Sequence, residues 1–145
     1  MNSVGHNAGD YMVNIAVLVK QVPDTNSKIQ IVGDRVDLSS VKMEISPYDE
    51  FAVENALQHK ESEGGTVTAI TVGNDGADKV LKGVKALGVD NIVRLDYDGY
   101  MDSNGLQSVL ADEIKSGGYD VVYCGKSAAD TGAGSTGPGI AERLG

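Results

Sequence analysis

The sequence predicts an α/β fold with a doubly wound, Rossmann-like parallel sheet. Short apolar runs rich in β-branched residues alternate along the chain with segments whose apolar residues recur at helical spacing. The runs are nearly continuous in hydrophobicity, which is typical of strands buried on both faces. The 145 residues include 19 glycines, about twice the average share of roughly 7%. Because these glycines separate the apolar segments, they indicate turns between strands and helices.

The first predicted strand is the run at residues 13–19. A turn interrupted by proline follows at residues 20–25. Residues 28–32 and 35–38 then predict a small hairpin, with a Gly-Asp turn at 33–34. This hairpin is too short and too polar to belong to the core.

The first helix is predicted to begin at Ser46 and Pro47, because serine is a good N-cap and proline fits the first helical position. It ends before the glycine pair at 64–65. Alternating strands and helices follow, each closed by glycine or a polar turn. We predict strands at 66–72, 91–95 and 119–124, and helices at 77–87, at 103–115 and from about 135 into the C-terminal residues.

The composition and net charge of the chain exclude several classes of protein. A chain with 41% hydrophobic and 23% charged residues can form one packed domain. The net charge of −9 disfavours binding to nucleic acid. No apolar run reaches the roughly 20 residues of a membrane span, and the first eleven residues resemble no targeting signal. We therefore expect a cytoplasmic protein without membrane insertion, with a disordered extension at 1–12 and a domain at 13–145 that lacks the later elements of its fold.

The strongest local signal is the small-residue stretch at residues 125–138. It follows a predicted strand and opens a helix, so free backbone amides and the helix dipole meet at one point. Such a point suits a phosphate group, and parallel sheets bind ligands at the carboxyl ends of their strands. The stretch matches neither the P-loop nor the usual dinucleotide pattern. Nucleotide binding is the favoured interpretation, and a glycine-rich connection without a ligand is the alternative.

Other candidate residues carry weaker signals. Residues 46–50 are explained by helix capping, although Tyr48 and Asp49 could also face a nucleotide. The single cysteine, Cys124, is interpreted as a buried structural thiol. The acidic residues within 96–102 read as a solvated loop. No pairing of histidine with cysteine or carboxylate is readable, so catalysis by a side chain and metal binding have no support.

Four segments in register resemble the N-terminal part of the electron transfer flavoprotein beta subunit, including its FixA-like and bifurcating relatives. They are VLVKQVPDT at 17–25, SPYDEFAVE at 46–54, the LGVD segment at 87–90, and the GKSAAD…STG loop with its IAERLG helix at 125–145. Each motif is weak alone, but the four together are specific. The resemblance covers residues 13–145.

The resemblance implies an electron carrier rather than an enzyme. The family's beta subunit pairs with an alpha subunit, shares an FAD with it, and holds AMP or a second FAD in its own fold. Flavin dehydrogenases or a quinone reductase would be partners of the complex. A stand-alone adenine-nucleotide module of the universal-stress type is the alternative. The residues implied to bind the nucleotide are Leu18, Ser46, Pro47, Tyr48, Asp49, Val72, Gly125, Lys126, Ser127, Ala128, Asp130, Gly134, Ser135 and Thr136.

Overall fold

A computed structural model describes residues 12–145 of the protein. Apart from Met12, the extension predicted at 1–12 lies outside the described residues. The order of elements follows the predicted alternation of strands and helices. In chain order they are β1 (Val13–Leu18), β2 (Gln21–Pro23), β3 (Gln30–Val32), β4 (Arg35–Asp37), β5 (Met43–Ile45), α1 (Pro47–Glu63), β6 (Gly65–Gly73), α2 (Asp78–Ala86), β7 (Asn91–Asp96), α3 (Ser103–Gly117), β8 (Val121–Cys124) and α4 (Thr136–Leu144).

The central sheet has four parallel strands in the order β7-β6-β1-β8, which confirms the predicted α/β class. β1 pairs with β6 from Val13↔Gly65 to Leu18↔Ile70, and with β8 as far as Leu18↔Cys124. The chain runs outward from β1 through β6 to β7 and then returns to the other side of β1 as β8. This reversal makes a topological switch point between β1 and β8, where open α/β sheets commonly bind ligands.

Two cores cover the two faces of the sheet. The side chains of β1 are mostly buried, because they point alternately into one core and the other, as its continuous apolar run predicts. Ile15 and Val17 join the core under α1 and α2, whereas Ala16 and Leu18 join the core under α3 and α4. The helices therefore lie on both faces, which is the doubly wound arrangement. None of the helices within residues 12–145 combines the length and the hydrophobicity needed to cross a membrane.

The segment between β1 and α1 differs in part from the prediction. The hairpin of β3 and β4 forms with its turn at Gly33, which has φ +66°, and it is largely exposed as expected. The predicted turn at 20–25, however, begins with β2, which pairs antiparallel with β5. Strands of three residues show no readable periodicity, so the sequence could not reveal this pairing. The pair holds residues 20–23 next to the start of α1.

Candidate functional site

A cleft of about 260 Å³ opens at the carboxyl ends of β1, β6 and β8. Its floor is apolar and is formed by Leu18, Ile70 and Val72. The start of α3 forms one wall. The other wall is the glycine-rich loop, defined here as residues 125–135, together with the first turn of α4. The cleft therefore lies at the switch point between β1 and β8 that the observed order of the strands creates.

Asp49 joins the two strands at the switch point. The backbone N–H of Lys20 donates to Asp49 Oδ2 at 2.8 Å, and the N–H of Gly125 donates to Asp49 Oδ1 at 3.1 Å. These amides lie just beyond the last paired residues, Leu18 and Cys124, so one carboxylate satisfies two donors that the ladder leaves free. Burial raises the pKa of Asp49 to about 6, against the opposing effect of the two amides and the Lys20 charge.

Gly125 leaves the space that the carboxylate of Asp49 occupies. A Cβ at Gly125 would lie 2.2 Å from Asp49 Oδ1 and 2.9 Å from the backbone carbon of Tyr48. The loop can therefore approach the start of α1 this closely only with glycine at this position. The sequence showed a glycine after a strand, but it did not show what the glycine makes room for.

Ser46 holds the glycine-rich loop through hydrogen bonds. It occupies the N-cap position of α1 and Pro47 follows at the first helical position, as predicted. The predicted capping bond is wrong, because the Ser46 side chain makes no bond to its own helix. Its Oγ instead accepts from the N–H of Ala129 at 3.3 Å, and its backbone N–H donates to Lys20 O at 2.9 Å. Ser46 is fully buried and ties the loop to β1 and α1.

An ion pair also connects the glycine-rich loop to the end of β1. Lys20 Nζ lies 2.8 Å from both carboxylate oxygens of Asp130. The same carboxylate accepts from the N–H of Thr131 at 2.8 Å, and Gly132 N–H donates to Ala128 O at 2.8 Å. The middle of the loop is therefore closed on itself and anchored to β1.

Replacing Asp130 with asparagine is expected to loosen this loop without unfolding the protein. The pair is partly exposed, with side-chain exposures of 41% and 30%, so the free energy of unfolding should fall by no more than about 1 kcal/mol. Trypsin cleavage after Lys126 should become several-fold faster. Asp34→Asn is the control, because its pair with Arg35 is almost fully exposed and remote from the loop. Equal cleavage rates in wild type and Asp130→Asn would show that the pair does not order the loop.

The end of the glycine-rich loop leads into α4 beside the cleft. Gly134 has φ +64°, in the left-handed region that favours glycine, and it turns the chain into α4. Ser135 occupies the N-cap position without a side-chain capping bond, so its side chain does not cover the first amides of the helix. Gln107 Nε2 donates to Ser135 O at 3.1 Å and fixes this turn against α3. Gly134 and Thr136 line the cleft here.

The predicted site residues divide into two groups by position. The residues that line the cleft are Leu18, Asp49, Val72, Gly125, Lys126, Ser127, Ala128, Gly134 and Thr136. Ser46, Pro47, Tyr48, Asp130 and Ser135 do not line it. Of these, Ser46 and Asp130 hold the loop in position, and Tyr48 is 46% exposed at the start of α1.

Sequence reasoning missed the wall contributed by the start of α3. Tyr100, Met101, Ser103 and Leu106 line the cleft, although this stretch reads as a solvated acidic loop with a helix behind it. Its acids have structural roles: the Asp102 carboxylate accepts from Gly105 N–H at 2.7 Å and caps α3. The order of the elements was the signal that could have identified this wall, because the loop follows the carboxyl end of β7, at the edge of the sheet where ligands bind.

The interpretation of Cys124 as a buried structural thiol is wrong. The predicted buried thiol is exposed, and it lies in the wall of the cleft at the end of β8. A strand that ends at the switch point turns its last residue toward the crevice instead of the core. The apolar character of Cys124 therefore does not indicate its position.

The fold and the cleft define a Rossmann-like α/β protein whose open site lies beside the switch point of a parallel sheet, where this class holds nucleotides. The chain belongs to the electron transfer flavoprotein domain family, whose family model matches residues 35–145. This confirms the resemblance found in the sequence.

Named relatives support this assignment. The chain is 36% identical over 135 residues to the electron transfer flavoprotein subunit beta of Bacillus subtilis, covering 91% of this chain and 52% of that protein. It is 34% identical to the protein FixA of Azorhizobium caulinodans, covering 92% and 50%. It is also 34% identical to the acryloyl-CoA reductase electron transfer subunit gamma of Anaerotignum propionicum, covering 91% and 52%. The chain thus spans about half the length of the curated relatives it matches.

Proposed function

We propose that this chain is the nucleotide-binding part of an electron transfer flavoprotein beta subunit. It would hold AMP or FAD in the cleft and support flavin-mediated electron transfer in a cytoplasmic heterodimer with an alpha subunit. The observation that carries the proposal is the turn at Gly134, where left-handed backbone leads into the first turn of α4 and no side chain of Ser135 caps the amides of Thr136 and Gly137. Such amides bind phosphate without a basic side chain.

The cleft is suited in size and polarity to an adenylate group. Its volume of about 260 Å³ lies slightly below the roughly 300 Å³ at which ligand sites usually start, so it suits one small group rather than a whole dinucleotide. We therefore assign it the AMP moiety, either as AMP itself or as the adenylate half of FAD. The phosphate would lie on Gly134, Thr136 and Gly137, the residues of this turn that line the cleft. The base would lie toward Val72 and Met101, because β8 and β7 are at opposite edges of the sheet and their loops form opposite walls.

The protein's part would be to bind and orient cofactors. A bound FAD would supply the redox chemistry, and no residue of the cleft is assigned as a catalytic acid or base. The partners would be an alpha subunit and, through the complex, a flavin dehydrogenase or a quinone reductase. Membership of the electron transfer flavoprotein family favours this function over the stand-alone universal-stress alternative.

Three substitutions test the phosphate site in the assembled complex. Gly134→Glu adds a side chain to left-handed backbone and a negative charge beside the phosphate. Losing one charge-assisted hydrogen bond, worth roughly 1.5–3 kcal/mol, would weaken nucleotide binding about tenfold or more. Thr136→Val should cost less because it removes only a hydroxyl and keeps the amide. Lys126→Ala should matter least. The measurement is nucleotide content and affinity for each variant.

The control for Gly134→Glu is Gly132→Glu. Gly132 also has left-handed backbone, φ +64°, but it does not line the cleft. Mass spectrometry of the small molecule released by denaturation distinguishes AMP from FAD. If Lys126→Ala empties the site while Gly134→Glu leaves it full, the amides do not hold the phosphate and the proposed site is wrong.

A further inference from the structure

A second and larger concavity lies on the face of the sheet opposite α3 and α4. This groove, of about 850 Å³, runs between α1 and α2 and is closed at one end by β5. Its floor is apolar and includes Val53, Val80 and Val84, which also belong to the core. Leu87 at the end of α2 borders it and is 65% exposed. The groove therefore offers a continuous apolar surface that the described residues leave uncovered.

One rim of the groove is acidic. Glu50, Glu54 and Glu61 line it from α1, and their spacing keeps them on one side of the helix over about 16 Å. Within residues 12–145, none of the three forms an ion pair. The basic residues of the groove are Lys42 and Lys79, and Lys42 already pairs with Asp24 and Glu44. Among the described residues, Glu54 Oε1 accepts only from the neutral amide of Gln58, at 3.3 Å. A row of carboxylates without ion pairs beside an apolar floor is complementary to a basic partner.

Gly83 is an independent sign of a partner. It lies inside α2, where glycine costs roughly 0.5–1 kcal/mol relative to alanine. A Cβ built at Gly83 would meet nothing within 4 Å, so the packing of this chain does not require a glycine. Gly83 lines the groove. A helix crossing α2 at this point could approach the backbone closely only if no side chain intervened.

We propose that the groove between α1 and α2 binds an amphipathic helix of a partner protein, with an apolar row on the floor and lysine or arginine facing Glu50, Glu54 and Glu61. This is a helix-in-groove interaction in which apolar side chains give affinity and charge sets orientation. The length of the acidic rim matches about three helical turns. The groove is on the face opposite the nucleotide cleft, so the inference does not depend on which ligand the cleft holds.

The test uses a fluorescent synthetic peptide of about 18 residues, long enough to form a helix. Leucines at spacings of three and four are flanked by lysines, and a matched peptide carries glutamates instead. The basic peptide should bind the whole chain saturably, as measured by anisotropy, and the acidic peptide at least tenfold more weakly. The double variant Glu50→Lys/Glu54→Lys should lose at least tenfold in affinity for the basic peptide. Asp112→Lys/Glu142→Lys, with the same charge change on α3 and α4, should lose less than twofold.

Gly83→Ala provides a second test that does not depend on charge. The variant should raise the melting temperature of the free protein by about 2–4 °C, because alanine is the better helix former. It should also weaken peptide binding several-fold. A lower melting temperature would mean that the chain itself requires Gly83 and would overturn the inference.

Two further outcomes would also contradict the proposal. Equal binding of the basic and acidic peptides would remove the electrostatic argument. A second copy of the chain is the competing occupant, since α2 exposes Lys82 and Lys85. If sedimentation shows a dimer that Glu50→Lys/Glu54→Lys dissociates, the groove is a self-association surface and the partner helix is excluded.

Discussion

Gly125→Ala is expected to lower the free energy of unfolding by about 3 kcal/mol and to disrupt the cleft. The new methyl group would lie 2.2 Å from Asp49 Oδ1 and 2.9 Å from the Tyr48 backbone. The Asp49 carboxylate can move aside, but the backbone cannot. Moving the carboxylate leaves the amides of Lys20 and Gly125 without their acceptor, and each unpaired buried donor costs roughly 1–3 kcal/mol. Denaturant unfolding measures the loss.

Gly132→Ala is the matched control for this prediction. Gly132 also lies in the glycine-rich loop and has φ +64°, but a Cβ there meets nothing within 4 Å. Its cost should be backbone strain alone, roughly 1–2 kcal/mol. If the two variants lose the same stability, the space at Gly125 is not needed for Asp49 and the close approach of the loop to α1 has no energetic importance.

Asp49→Asn is expected to remove a pH dependence from stability, whereas Asp49→Ala should destabilise the fold mainly at low pH. The folded pKa of Asp49, about 6, lies above the ordinary value of 3.8. The folded state therefore holds the proton more tightly than the unfolded state between these values. The stability contributed by Asp49 is fully present below about pH 4 and is lost as the pH rises through about 6. The loss reaches roughly 3 kcal/mol by pH 7.

Asparagine resembles the protonated carboxyl, since each is neutral and keeps one carbonyl oxygen to accept from one of the two backbone amides, with a donor group in place of the second acceptor. Wild type and Asp49→Asn should thus be similar near pH 4, and the variant should become the more stable protein as the pH approaches 7. Asp49→Ala removes both acceptors and should lose about 2–3 kcal/mol near pH 4 from the two orphaned amides, and its difference from wild type should shrink as the pH approaches 7. Unfolding curves at pH 4, 5, 6 and 7 provide the comparison. Parallel pH profiles for wild type and Asp49→Asn would contradict the assigned role of burial.

The parts of the fold that the sequence predicted are those that depend on local pattern. The apolar run at 13–19, the serine and proline before α1, and the small residues before α4 each determine an element through neighbouring residues. The pairing of β2 with β5 was not readable because it involves only three residues on each strand. Periodicity needs a longer run than that.

The site was less predictable because its contacts join distant parts of the chain. Asp49 bonds to Gly125, and Ser46 bonds to Ala129, across 76 and 83 positions of sequence. Both residues are typical of a helix start, so the local pattern explains why they occur there. It does not reveal their second role in holding the glycine-rich loop. Tyr100 was missed for the same reason, since only the order of the strands brings its loop to the cleft.

The two cores are unequal, and this has a consequence for local unfolding. Among the described residues, the core under α1 and α2 contains twelve buried residues, while the core under α3 and α4 contains seven, of which α4 supplies only Ile140. Segments with little buried apolar contact open most readily in native-state hydrogen exchange. We expect α4 and the glycine-rich loop to exchange faster than β1 and β6. A ligand on the first turn of α4 would suppress this opening by mass action, so its binding would also stabilise this half of the molecule.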